Sequence, residues 1–581
     1  MAPSAQYQPL ATDDRDGASS PTSYPPSPAT APRSSRRKRV SAAQVARYVL
    51  LGALALLGVH SIYVFSARQY AQRFGASGLA APPPGLNMSS VAGGLVRDAT
   101  PLRTVSAFFQ LAQQEVAARG LDTDNDKLGK SLVDAYVRAR VPYCGAEVHP
   151  VQENNSTHTH WAPGGLISAH NTVPAAAAAC FPLHHDEFAK WWPYPHAPCI
   201  STNLRAVAGA GRAFVAPGCD LSAQGQALLQ DMGDERFLGK DIEVVPVGSE
   251  RARCKSRIEH TLMVVGRQDQ WNPFHVAEDL ITTVVVMLAS AAALPDLIDR
   301  RLQLVFNDKF GMDGNHFTPL WDRVGAWAPR RLSLDPWIEG ECSVTNTIHS
   351  VGAGASLLSA MGVDNEFRAA STITWAASHY YRHLFGLSAR SLQPKPAPAA
   401  RRPLNVLWIS RAKLDAVAEA QNDMSTWRGV RVLKNEGEVL ERIRRGFSEM
   451  CGGAASWCAF HDVRDEPEGW GVDGAVAGGP TPVRFAAIDP TVHALETQIH
   501  YAGHATIMVG QHGGALGLGL FLPPGDAAIM ELQVDEARAN HHFEHLAYET
   551  GQRYEMVEIQ VKVDAERLWE RIKAMVETMA K

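Results

Sequence analysis

The residues with chemical potential stand at the ends of apolar runs. Gln511-His512-Gly513-Gly514-Ala515 follows directly on the run ATIMVG. After a strand of a parallel sheet, small residues let backbone N–H groups approach a pyrophosphate, and a following helix presents its positive end. His512 can there donate a hydrogen bond to a departing diphosphate; out of that context the segment reads as a glycine turn with a surface histidine. Arg411 closes a second run, LNVLWISR, and a guanidinium grips phosphate oxygens in pairs. Arg431 and Asn435 lie one element later, with Glu438 beyond, and Glu531 closes AAIMEL, a place from which a carboxylate can accept ribose hydroxyls. Each alone could be a surface ion pair, whereas several at the strand ends of one sheet describe a phosphate site.

A second set lies upstream. Asn272-Pro273 supplies an N-cap and an N1 proline, and His275 and Asp279 then share a helix face at i, i+4. Asp279 could orient His275 or act as a base itself; the competing reading is an acidic residue that balances the helix dipole.

These residues need an α/β framework to bring them together. HTLMVVG (260–266) reads as a buried strand, the segment from Pro273 through Ala293 as a helix, and LQLVFND (302–308) as the next strand, which is a βαβ unit. After SLQPKPAPAARRP (391–403), a proline-rich linker, the runs 404–411, 483–489, 505–510 and 527–532 read as strands. VRVLKNEGEVLERIRRGF carries a strand-to-helix change, and Asp489-Pro490 caps a helix with Val492, Leu495 and Ile499 on one face. The expectation is two Rossmann-like domains facing a cleft: an N-terminal α/β lobe (101–390) and a C-terminal nucleotide-binding lobe (404–581). Residues 141–216, irregular and rich in Pro, His and Cys, are expected to form long loops held by cross-links.

With 581 residues the chain exceeds one ordinary core, and 45% hydrophobic against 20% charged residues is globular composition. A net charge of -5 gives no global basic field for nucleic acid. Residues 1–47, rich in Ser, Pro and Ala, read as a disordered cytosolic tail, and 68–100 as a stem. From Tyr48 to Ala67 no side chain carries a formal charge, about the length of helix that crosses a bilayer. Arg33, Arg36, Arg37, Lys38, Arg39 and Arg47 precede it and only Arg68 and Arg73 follow closely, so the N-terminus is expected in the cytosol. A cleaved signal peptide and a buried core helix are the alternatives. All eight cysteines lie beyond this span, as do the sequons at Asn87, Asn154 and Asn155, in keeping with a lumenal body.

Metal chemistry has weaker letters. Asp122-Thr123-Asp124 has the Asp-x-Asp pattern but follows a helical pattern rather than a strand, and as a calcium loop it carries Lys127 where glycine is needed. His158, His160, His184 and His185 lack a fourth zinc ligand at a recognisable spacing. No metal is expected.

The residues taken together resemble the catalytic region of glycosyltransferase family 61. The likeness rests on Arg411; Arg431 with Asn435 and Glu436; Glu496, Gln498 and Ile499; His512 to Leu516 with Phe521-Leu522-Pro523-Pro524-Gly525; Glu531-Leu532; His541 to Leu546; and Tyr554. Upstream, Asn272-Pro273-Phe274-His275 with Asp279 is similar to the family's Asn-x-x-His-x3-Asp segment, so the resemblance covers roughly residues 260 to 555. The chain departs from the pattern at Gly514 and Ala515, and has Gly517 and Leu518 where a Thr-Asn pair is usual. The resemblance implies a GT-B architecture and an inverting transferase, with a UDP-sugar donor held by the C-terminal half and no metal cofactor. It implies N-acetylglucosamine or a pentose such as xylose moving to a hydroxyl of a glycoprotein or polysaccharide, in the Golgi or endoplasmic reticulum membrane. A glycoside hydrolase would instead need two opposed carboxylates, and a non-catalytic lumenal carbohydrate-binding or scaffolding protein on a transferase fold is the rival outside enzymes.

Overall fold

The apolar runs become the strands of two sheets in a computed structural model. It describes residues 101–121, 128–145, 175–182, 196–207, 214–231, 241–254, 256–258, 260–308, 310, 316–332, 341–351, 369–387, 400–420, 431–453, 456–464, 470–471, 476–477, 479–535, 538 and 540–581. The expected tail, membrane span and stem, the Asp-x-Asp letters, the paired histidines, the sequons and most of the proline-rich linker lie outside these residues.

The first sheet is ten-stranded and mixed. Its antiparallel part runs through β1 (Cys199–Ala206). Its parallel part contains β2 (Thr261–Val265), which leads into helix α1 (Pro273–Ala293), then β3 (Leu302–Phe306), β4 (Trp327–Arg331) and β5 (Glu341–His349). The order across it is β1-β5-β2-β3-β4. Asn272 caps α1 as its sequence suggests, its side-chain oxygen accepting the Phe274 N–H at 3.0 Å. The described residues of 141–216, expected as loops, contain four strands, and the Cys144–Cys219 and Cys180–Cys199 disulfides tie this region together. Short alanine runs such as Ala177–Cys180 carry little period-2 signal, which hid them.

The second sheet is six-stranded and wholly parallel. After helix α2 (Thr372–Leu384), its strands are β6 (Leu404–Ile409), β7 (Cys458–Asp462), β8 (Thr481–Ile488), β9 (Ile507–Gln511), β10 (Ala528–Gln533) and β11 (Arg553–Glu558). Numbered by their own sequence order, they lie as 2-3-1-4-5-6. Helix α3 (Glu436–Cys451) connects β6 to β7; α4 (Leu495–His504) precedes β9; α5 (His542–Glu549) precedes β11, and α6 (Ala565–Met579) ends the chain. The Cys451–Cys458 disulfide joins the end of α3 to β7. Two local expectations change. No strand forms at 431–435, and Val492 falls in a short 3-10 turn with 58% exposure, so the helix starts at Leu495 and buries Leu495 and Ile499 without it.

The protein is therefore mixed α/β with parallel sheets. Both halves belong to one compact unit, Ala92–Lys581, and share a hydrophobic core. Helix α1 is the reason: it is buried along nearly its whole length, and side chains from Phe274 to Leu288 join a cluster with Leu407, Met508, Leu516 and Leu546. Among the described residues it is the one helix long and apolar enough to cross a membrane, and 89% of its apolar window is buried in protein. The sequence-based picture of lobes facing one another across a cleft omitted this shared packing.

Candidate functional site

In a parallel sheet, ligands collect outside the carboxyl ends of the strands where the winding direction reverses. Here the reversal falls between β6 and β9, hydrogen-bonded neighbours whose exits carry Arg411 and His512. Topology thus brings together two residues separated by about a hundred positions in the chain.

The fine geometry strengthens that juxtaposition. A methyl group placed on Gly513 would stand 2.8 Å from Arg411 Nη1 and 3.4 Å from Arg431 Nη1, so two guanidinium groups converge on this glycine. Arg431 Nη1 donates to the His512 carbonyl at 3.2 Å, and Gln511 Nε2 donates to the Arg431 carbonyl at 2.9 Å. Arg411 Nε lies 3.4 Å from Asp415 Oδ1, while Asp415 Oδ2 accepts the Leu433 N–H at 3.0 Å. One carboxylate thereby couples the aim of Arg411 to the segment that carries Arg431.

His512 is 4% exposed and its Nδ1 is hydrogen-bonded to Glu531 Oε1. Glu531 Oε2 accepts the Tyr554 hydroxyl at 2.5 Å. Burial, then the Glu531 charge, pushes the Tyr554 phenol far above its ordinary range, so it stays a donor. Fully buried and committed on both oxygens, Glu531 is not placed to accept ribose hydroxyls; it orients the imidazole instead. Phe543 packs edge-on to the His512 ring at 5.2 Å.

Gly514 and Ala515 open a 3-10 helix, Gly514–Phe521, whose first turn leaves N–H groups at the strand exit. This turn abuts the start of α1. A methyl group on Gly514 would overlap Asn272 Oδ1, and one on Gly517 would lie 2.6 Å from the Phe274 nitrogen and Cα. The glycine at 517 therefore has a steric cause: α1 and the loop touch backbone to backbone there, and threonine would part them.

The same contact delivers His275. Its Nδ1 is 2.6 Å from Glu278 Oε2, so the carboxylate that orients it is Glu278, at i+3, and not Asp279. Burial raises the Glu278 pKa, opposed by the His275 hydrogen bond and charge. Asp279 accepts the Gln268 N–H at 2.9 Å, beside the buried Arg267–Asp308 ion pair, and burial holds its carboxyl well above the usual range. It fastens the β2–α1 connection. The sequence signal for Glu278 was present, since i+3 and i+4 lie on one helix face.

Asn435 is also corrected. Its amide donates to the Val563 carbonyl at 2.8 Å and its oxygen accepts the Val563 N–H at 3.1 Å, which clamps the approach to α6 to the start of α3. Its neighbour Glu436 accepts from Trp408 Nε1 at 2.6 Å and Ser410 Oγ at 3.1 Å, bracing the exit of β6.

Sequence reasoning missed the packing role of α5. His542 stacks on Phe274 at 4.5 Å, and its pKa is pushed down to about 3 by burial first and then by His512, His275, His545 and His541. The imidazoles of both halves are thus neighbours, with His542 a neutral spacer. Among the described residues no group of three or more His, Cys, Asp or Glu side chains is arranged to hold a metal ion.

No protein-family model matches the chain, and no curated protein matches it. The class defined by fold and site is an α/β protein with an anion-suited centre at the switch point of a parallel sheet.

Proposed function

We propose that the protein is an inverting glycosyltransferase of the family 61 kind, which moves a sugar from a UDP-sugar to a hydroxyl of a glycoprotein or polysaccharide. The observation that carries this reading is the convergence of Arg411, Arg431 and His512 on Gly513, against the helix start that bears His275. Two guanidinium groups and the N–H groups of a glycine-rich turn suit a diphosphate. Glu531 holds His512 by Nδ1, and in this reading it is the imidazolium, with a proton on each ring nitrogen, that donates from Nε2 to the leaving phosphate oxygen.

In this reading His275, oriented through Nδ1 by Glu278, is the base that takes the acceptor proton. The acceptor oxygen forms a bond to the anomeric carbon on one face while the carbon–phosphate-oxygen bond breaks on the other. The acceptor proton passes to His275 and the bonding electron pair leaves with UDP. A GT-B arrangement, a single N-terminal membrane anchor, a lumenal catalytic part and a Golgi or endoplasmic reticulum location belong to this proposal. The disulfides support the oxidising compartment.

The test is a UDP-sugar panel against the purified full chain, followed by donor hydrolysis and by calorimetric UDP binding. Turnover of one donor is expected. Absence of UDP binding would overturn the reading, and glycan binding without nucleotide binding would favour a lumenal carbohydrate-binding protein.

A further inference from the structure

Trp271 is the most exposed large hydrophobic side chain among the described residues, at 60%. Its position is not that of a loose loop. Asp269 Oδ1 accepts both the Trp271 N–H, at 2.5 Å, and the Asn272 N–H, at 2.9 Å, so the backbone beneath the indole is fixed on two successive residues. Asn272 then caps α1 and rests against Gly514. His275 stands four residues after Trp271, on the first turn of α1.

An exposed indole on a fixed stretch of backbone, four residues before the proposed base, has a specific chemical use. The indole is large, rigid and amphipathic, and it is exposed here beside a helix start whose Phe274 is buried. Its neighbours in sequence are Gln268, Asp269, Gln270 and Asn272, all partly exposed and all with planar polar groups. Sugar rings present the complementary pattern: an apolar C–H face for the aromatic plane and a rim of hydroxyls for amides and carboxylates. A peptide hydroxyl acceptor gives no such face.

We infer that Trp271 is the acceptor platform, and that the acceptor is a sugar residue of a glycan stacked on the indole with one hydroxyl turned toward His275. This deepens the transferase reading and rests on it. In this role Trp271 positions the acceptor and does not touch the donor phosphates, which lie on Arg411, Arg431 and His512.

The test uses the full chain in detergent, with chitotriose, xylotriose and mannotriose as separate probes and a Ser/Thr-rich peptide as the alternative acceptor. Binding is followed by calorimetry, for wild type, Trp271→Ala and Trp271→Phe, with UDP binding measured on the same samples. One trisaccharide should bind the wild type, lose about tenfold or more in affinity in Trp271→Ala, and recover to within about threefold in Trp271→Phe, with UDP affinity unchanged. Equal trisaccharide affinity in Trp271→Ala overturns the inference, as does binding of the peptide alone. If UDP binds and no trisaccharide does, the platform fails while the transferase reading stands. If trisaccharide binding depends on Trp271 and UDP does not bind, the transferase reading fails and the sugar platform remains.

Discussion

Glu531 holds the imidazole of His512 across two neighbouring parallel strands, its Oε1 on Nδ1 and its Oε2 on the Tyr554 hydroxyl. His512 is buried, Tyr554 is partly buried, and the carboxylate has no exposure to water. Such a pairing fixes the orientation and the tautomer of the imidazole. Glu531→Gln keeps the shape and removes the charge, so donor turnover should fall on the order of a hundredfold while UDP affinity changes little. Tyr554→Phe should cost less, because Glu531 retains His512. Steady-state kinetics with the donor found in the panel would measure both, and an unchanged kcat in Glu531→Gln would remove His512 from the chemistry.

The two arginines and Asn435 make opposite predictions although they follow one another in sequence. Arg411→Ala and Arg431→Ala should each weaken UDP binding by about tenfold or more, since each removes a charge-assisted contact. Asn435→Ala should leave UDP affinity within about twofold and instead lower the unfolding temperature, because it breaks the clamp on Val563. Calorimetric titration and a thermal melt on the same three variants decide this. Loss of UDP affinity in Asn435→Ala would return that residue to the binding site.

The pattern of success and failure in reading these residues from sequence follows from what each signal encodes. Periodicity and capping located α1 to the residue at both ends, because Asn272-Pro273 is a local signal and the helix interior is uniformly apolar. The strand exits carrying Arg411 and His512 were legible for the same reason. Strand order was not, since adjacency of β6 and β9 is a long-range pairing that no local pattern records. Partner choice was harder still. Glu278 and Asp279 are equally plausible beside His275 by spacing, and only the packing of the β2–α1 connection, which turns Asp279 toward Gln268, separates them. Glu531 and Asn435 were read as ligand contacts from their places at element ends, yet their partners Tyr554 and Val563 come from distant segments.

Gly517 gives a steric prediction. Its missing side chain lets α1 approach the glycine-rich turn, and an added methyl would meet Phe274 main chain, which cannot rotate away. Gly517→Ala should destabilise by about 1–3 kcal/mol, the range for overpacking a filled core. Gly514→Ala meets the Asn272 side chain instead, and should cost about 1 kcal/mol through the displaced helix cap. Chemical denaturation would show the difference, and a neutral Gly517→Ala would mean that the two halves part more easily than this contact implies.

Glu549 gives the pH dependence. It is fully buried at the end of α5, its side chain accepts the Thr374 hydroxyl of α2 at 2.5 Å, and burial pushes its carboxyl up to about 8 against an ordinary value of 4.5. The folded protein therefore keeps this proton between those two values while the unfolded chain releases it. The stability it contributes is fully present below pH 4.5 and is lost as pH rises through about 8, with a slope of at most about 1.4 kcal/mol per pH unit. The buried His542 and His349 act in the other direction, each pushed down to about 3, and cost stability as pH falls below 6.5. A difference measurement cancels them. Glu549→Gln keeps an acceptor for Thr374 and cannot ionise, so its unfolding free energy relative to wild type should be near zero at about pH 4 and rise to about 2 kcal/mol or more by about pH 8. Denaturant titrations of the pair at several pH values check it, and a difference that stays flat with pH would show that Glu549 is ionised in the folded protein throughout.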